Sequence, residues 1–128
     1  MVPEVKGLLI DALKSGDYNK TKGHLKTVYE DSSSYCCLGV LCEVAGKETD
    51  LDATFVRTAF TGVGVVEGII RKDRDDDDIE HDNDYSSYPP NDIRDWAGLT
   101  DEDMIKLANL NDEVETFQPV IDFIEANL

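Results

Sequence analysis

An α+β domain, with about five helices packed on a small antiparallel sheet and one long acidic loop, is what the sequence predicts. Three observations carry that expectation. Apolar residues recur at helical spacing near both ends and in the centre of the chain. Between them, from Ala53 to Lys72, β-branched and aromatic residues are interrupted by glycines, as in short strands joined by turns. The stretch from about 73 to 88 is charged and polar with too little apolar surface to pack. A length of 128 residues suits one domain with a single core, spanning 1–128.

The elements follow in order. Val5, Leu8, Leu9, Ala12 and Leu13 share one helical face, Pro3 suits a first helical position, and Ser15-Gly16 supplies a stop. Residues 17–34 read as a loop leading into one short strand around Leu25–Tyr29. Ser32, Ser33 and Ser34 offer N-caps for a helix running from Tyr35 to Ala45, with Cys37, Leu38, Leu41, Cys42 and Ala45 on one stripe and Gly46 at its C-terminal stop. Gly39 inside that helix costs roughly 1 kcal/mol against Ala, so the close approach of another backbone is its expected gain. Phe55, Val56, Phe60, Val63, Val65, Val66, Ile69 and Ile70 form two or three strands. After Pro89-Pro90, Asn91 caps a short helix through Ile93, Trp96 and Ala97 that ends at Gly98. Thr100 and Asp103 have the spacing of a capping box for the next helix, whose inner face is Met104, Leu107, Ala108 and Leu110. Asn111-Asp112 is expected to turn the chain. Thr116 then caps a closing helix with Phe117, Val120, Ile121, Ile124 and Leu128 on one stripe.

Charge is divided unevenly. Of 28 acids and 12 bases, residues 1–72 hold ten acids and nine bases, whereas residues 73–128 hold eighteen acids and three bases. Such a field repels nucleic acid and anionic membranes and attracts basic protein surfaces. No apolar run approaches the roughly 20 residues of a membrane span. Met1-Val2-Pro3-Glu4 lacks the basic and apolar regions of a signal peptide, and three cysteines, two adjacent, do not make a disulfide scaffold. A soluble, intracellular protein is expected.

Four candidate chemistries fail on spacing. Cys36 or Cys42 with His24 or His81 as base would make a nucleophile pair, but there is no oxyanion motif, and an apolar helix raises a thiol pKa. Core packing is the expected role of the cysteines. The Cys37 and Cys42 spacing fits no zinc knuckle. Asp73, Asp75 and Asp77 match the first three ligand positions of a calcium loop, and Asp84 falls at the twelfth. Asp78 stands where Gly is needed, Glu80 where an apolar anchor belongs, and the twelfth position lacks its Glu. Gly62-Val63-Gly64-Val65-Val66-Glu67-Gly68 misses the spacing of a dinucleotide loop and precedes no helix. No cofactor, metal or catalytic residue is therefore expected.

Tyr35-Cys36-Cys37-Leu38-Gly39-Val40-Leu41-Cys42 resembles the signature of a family of small, mostly uncharacterised proteins encoded by tailed bacteriophages. The likeness extends to Ser15-Gly16-Asp17-Tyr18, Gly23-His24-Leu25, Pro89, Trp96-Ala97-Gly98-Leu99, Leu110-Asn111-Asp112 and the amphipathic stretch from Phe117 to Leu128. It leaves out about 48–88 and departs at Glu113-Val114-Glu115, where the family often has a glycine turn. The resemblance implies an accessory protein of the infected bacterial cytoplasm and brings no catalytic residues.

The expected function is binding of a basic host protein or complex, such as a nucleic-acid enzyme or a defence complex, by mimicry of nucleic acid or inhibition. The expected contacts are Asp75, Asp76, Asp77, Asp78, Glu80, Asp82 and Asp84, with Tyr85 and Tyr88 as aromatic anchors. The alternative is a small-molecule binder or enzyme with a pocket between the Cys36–Cys42 helix and the sheet, where His24, Lys20, Lys22 and Lys26 would hold a phosphate-bearing ligand.

Overall fold

The computed structural model describes residues 1–60, 64–74 and 80–128, and the side chains of these except at 71–74 and 80–85. Among the described residues, five helices cover one six-stranded sheet, an α+β fold as expected. The helices are α1 (Pro3–Lys14), α2 (Cys37–Glu48), α3 (Asn91–Ala97), α4 (Asp101–Glu113) and α5 (Gln118–Asn127). The strands are β1 (Asn19–Lys20), β2 (Lys26–Val28), β3 (Ser33–Tyr35), β4 (Val56–Phe60), β5 (Val65–Arg74) and β6 (Glu80–Tyr85).

The sheet is wider than the central glycine-rich segment that predicts it. Its order is β1-β3-β2-β5-β4, all antiparallel except the β1–β3 pair, which is parallel. Ser33 and Ser34, expected as helix caps, belong to β3 and pair with Val28 and Thr27. The cap of α2 is instead Cys36, whose Sγ accepts from the Gly39 N–H at 3.4 Å. Gly46 lies within α2, which runs on to Glu48. Asn91 is the first helical residue of α3, after Pro90. Phe117, not Thr116, precedes α5.

Of the acidic stretch expected as one loop, the described residues 73–74 and 80–85 are strand. β5 continues to Arg74, and β6 returns antiparallel to it, with Ile69 opposite Tyr85, Lys72 opposite Asp82 and Arg74 opposite Glu80. Asp75 to Asp78 lie outside the described residues.

β2 occupies β5 from Val65 to Glu67, and β6 occupies it from Ile69 to Arg74, both antiparallel. The two meet end to end, since the N–H of Leu25, just before β2, donates to the carbonyl of Ser86, just after β6, at 2.6 Å. That junction brings residues 86–88 beside residues 23–25, which are more than sixty positions away in sequence.

α2 is the hub of the core. Leu38, Val40, Leu41, Cys42 and Ala45 are wholly buried, and α1, α4 and β3 pack around the helix. Gly39 has the close contact its position predicts: a Cβ there would overlap the Leu25 carbonyl. All three cysteines are buried and none forms a disulfide, as expected of core residues. The capping box of α4 is complete, with Asp103 N–H donating to Thr100 Oγ1 and Thr100 N–H to the Asp103 carboxylate, each at 3.1 Å. α1 ends at Lys14, before Ser15 and a left-handed Gly16.

Candidate functional site

The candidate site forms where the β2–β6 junction faces α4. Gly23, at φ +79°, reverses the chain before β2, a conformation that favours glycine. Its N–H donates to Asp112 Oδ1 at 2.8 Å, and its carbonyl accepts from Ser87 Oγ at 3.1 Å. One residue thus ties the strand junction to the end of α4.

The neighbouring residue in α4 makes the second tie. Asn111 is fully buried, and its Oδ1 accepts the N–H of Cys37 at the first turn of α2, at 3.1 Å. Its amide donates to the Thr21 carbonyl at 2.9 Å. One side chain so satisfies an otherwise orphaned helix N–H and a loop carbonyl. Asn111-Asp112 does not turn the chain, as the polar pair suggests. Both residues sit in the last turn of α4, one facing the core and the other the junction.

Two cavities open against this framework, and Tyr88 lines both. The polar one, of about 200 Å³, is lined by His24 and Cys36 on one side, Ser87 and Tyr88 on another, and Asn109 and Asp112 of α4. The apolar one, of about 380 Å³, lies one turn earlier along α4, between Tyr88 with Pro89 and Met104 with Ile105, and Asp101 stands at its edge. Tyr88 is 38% exposed and Ile105 49%, large values for side chains of that size next to a core.

Electrostatics differ between the two. Asp101 is paired with Arg94 at 2.7 Å, and Glu102 with Lys106 at 3.0 Å. Asp112 has no ion pair among the described residues, only hydrogen bonds from Gly23 and Asn111. His24 Nδ1 is buried with no hydrogen-bond partner among the described residues, an unusual state for a polar atom. Cys36 is almost fully covered, and burial pushes its thiol up to about 11 against the opposing pull of the Gly39 N–H. Burial holds Cys37 well above the ordinary thiol range too, and its Sγ donates to the Leu107 carbonyl at 3.7 Å. Neither thiol is a ready nucleophile near neutral pH.

The expected contact residues distribute unevenly. Tyr88 stands at the centre of the site. Glu80, Asp82, Asp84 and Tyr85 lie in β6, leading into the junction, and Asp75, Asp76, Asp77 and Asp78 fall outside the described residues. Of the basic residues considered for a small-molecule pocket, only His24 reaches the cleft. Lys22 pairs with Glu115 at 2.9 Å, and Lys26 with Glu67 at 3.5 Å under the rings of Tyr35 and Phe55. Lys20 lines neither cavity. The cleft adjoins the N-terminus of α2, as that alternative supposed, but α4 forms its far wall instead of the sheet.

Asp112 and Asn109 were missed by sequence reasoning. The signal available for Asp112 was its place in the Leu110-Asn111-Asp112 motif, where a polar pair ends an apolar stripe that could have continued. Among the described residues, no group of His, Cys, Asp and Glu is arranged to hold a metal ion, and no helix is long and apolar enough to cross a membrane.

No curated protein and no solved structure matches the chain. Over residues 1–128 it matches the family described as a domain of unknown function (DUF8296), and to that family it belongs.

Proposed function

We propose that the chain is a phage accessory protein that works in the cytoplasm of the infected bacterial host. Its acidic second half binds a basic surface of a host protein there. A nucleic-acid enzyme or a defence complex is the kind of target such a field suits, with the acidic face occupying the site of a polyanion. The observation that carries this reading is the charge division, eighteen acids against three bases after residue 72. Even with Lys14 and Lys22 of the first half reaching across to Glu125 and Glu115, exposed Glu113 and Asp122 stay without an ion pair among the described residues. Like charge accumulated on one part of a surface disfavours the compact state, and a cationic partner relieves it.

The test is retention of host proteins on the immobilised chain at low salt, followed by a rising salt step. One basic protein or complex should elute sharply, because exposed charges are screened within about 10 Å at 0.1 M salt. Replacing Asp75, Asp76, Asp77 and Asp78 with Asn should lower its elution salt. Unchanged retention in that variant and in one carrying Glu113→Gln with Asp122→Asn would overturn the reading. The small-molecule alternative keeps one supporting observation, the cleft beside Cys36. The carboxylate of Asp112 within it favours a cation over a phosphate.

A further inference from the structure

We infer that the polar cleft between the β2–β6 junction and α4 takes one lysine or arginine side chain of the basic partner, with an adjacent apolar residue seated in the groove beyond Tyr88. This rests on the proposed function and gives it an address.

Donor and acceptor accounting carries it. A lysine ammonium has three N–H donors and an arginine guanidinium five, and neither accepts. The cleft offers acceptors. Asp112 uses Oδ1 for the Gly23 N–H and brings an exposed carboxylate that makes no ion pair among the described residues. Ser87 spends its proton on the Gly23 carbonyl, so its oxygen is left with lone pairs. His24 Nδ1 is buried without a partner among the described residues and accepts when the imidazole carries its proton on Nε2, the tautomer an incoming N–H selects. An anion would meet a carboxylate and find no cation on these walls.

Size points the same way. At about 200 Å³ the cleft is smaller than the roughly 300–1,000 Å³ pockets that hold drug-sized ligands, and it suits a single side chain. Tyr88 offers an aromatic wall to the aliphatic stem of such a residue, and cations favour aromatic faces. Beyond it the apolar groove with exposed Ile105 matches a neighbouring leucine- or methionine-sized residue. Of the acidic residues of α4, Asp101 lines the groove and Asp112 the cleft, which favours a basic segment over an acidic one.

The experiment titrates ¹⁵N-labelled protein with a blocked heptapeptide that carries a central Lys-Leu pair between Gly-Ser spacers. A second peptide replaces the lysine with norleucine, keeping the stem and losing the charge. Amide shifts should concentrate at Gly23, His24, Ser87, Asn109 and Asp112, and the norleucine peptide should bind about threefold to fivefold more weakly, as for loss of an exposed ion pair. Asp112→Asn keeps an oxygen for the Gly23 N–H, so it should fold with an unchanged amide spectrum yet weaken lysine-peptide binding about threefold to fivefold. Asp11→Asn removes the same charge from the exposed face of α1, outside the acidic half, and should cost less than about 1.5-fold.

Equal losses in the two variants, or shifts scattered over α4 and α5, would overturn this inference and leave the proposed function standing as a long-range field effect. If neither lysine peptide nor host protein binds even at low salt, both fail together.

Discussion

Two regions a few residues apart treat buried polar atoms in opposite ways. At the first turn of α2 every side-chain group is matched: Asn111 serves Cys37 N–H and the Thr21 carbonyl, and Cys36 Sγ takes the Gly39 N–H. In the cleft next to it, among the described residues, His24 Nδ1 is buried and unmatched and Asp112 has no ion pair. An unmatched buried atom costs roughly 1–3 kcal/mol, whereas a matched one is nearly neutral or better. The difference teaches where the molecule is fixed and where it has affinity to spare. Substitutions on the matched side should cost stability, and substitutions on the unmatched side should not.

The largest effect is expected at Gly39. Helix propensity alone would favour alanine by about 1 kcal/mol. The added Cβ would overlap the Leu25 carbonyl, and backbone has no rotamer to move aside. Gly39→Ala should therefore destabilise by about 3 kcal/mol or more, or prevent folding, as read by urea unfolding. A neutral result would mean that α2 and β2 are not in contact.

Asn111→Leu comes next, at about 3 kcal/mol. The side chain is close in volume, so little is lost in packing, but the Cys37 N–H and the Thr21 carbonyl both lose their partner. The same unfolding series measures it. A cost below about 1 kcal/mol would show that water takes over both bonds.

How much of this was legible in the sequence follows from the range of each interaction. The helices were, because a 3.6-residue stripe and a cap are local, as Val5 to Leu13 and the Thr100–Asp103 box demonstrate. β1 and β3 were not. Two or three residues carry no periodicity, and Ser33-Ser34 offers the same hydroxyls to a helix cap as to a strand. β6 was hidden because its partner, the far end of β5, runs past residue 72 into the same charged stretch that a composition count assigns to one loop. The site was legible at Tyr88, an aromatic residue stranded in a polar loop. His24 was visible only as a nearby polar group. Asp112 was masked by its own polarity, since a polar pair after an apolar run ordinarily ends a helix, and only the distant Gly23 N–H gives it a role.

The matched region also predicts a pH dependence. Burial raises the Cys36 thiol from 9.0 to about 11. A group that holds its proton more tightly when folded contributes stability that is complete below its unfolded pKa and is lost as pH rises through its folded one. Stability should thus fall between about pH 9 and 11, by roughly 2–3 kcal/mol for Cys36 alone, and Cys37 acts in the same direction. Other groups titrate there as well, so the readout is the difference in slope between wild type and Cys36→Ala. The variant should lose roughly 2 kcal/mol less across that window. Equal slopes would place the thiol in water.

The smallest effect sharpens the comparison most, because its sign differs. His24→Phe removes Nδ1, which has no hydrogen-bond partner among the described residues, and keeps a planar ring. Its stability should lie within about 0.5 kcal/mol of wild type, or above it, since replacing an unsatisfied buried group with an apolar one of similar shape is neutral or favourable. Binding of the lysine peptide should weaken in the same variant. Residues held for function commonly stand at a cost to the fold, and removing them separates stability from activity. If His24→Phe instead destabilises as much as Asn111→Leu, then Nδ1 is matched after all, by an ordered water, and the two regions differ only in which partner satisfies them.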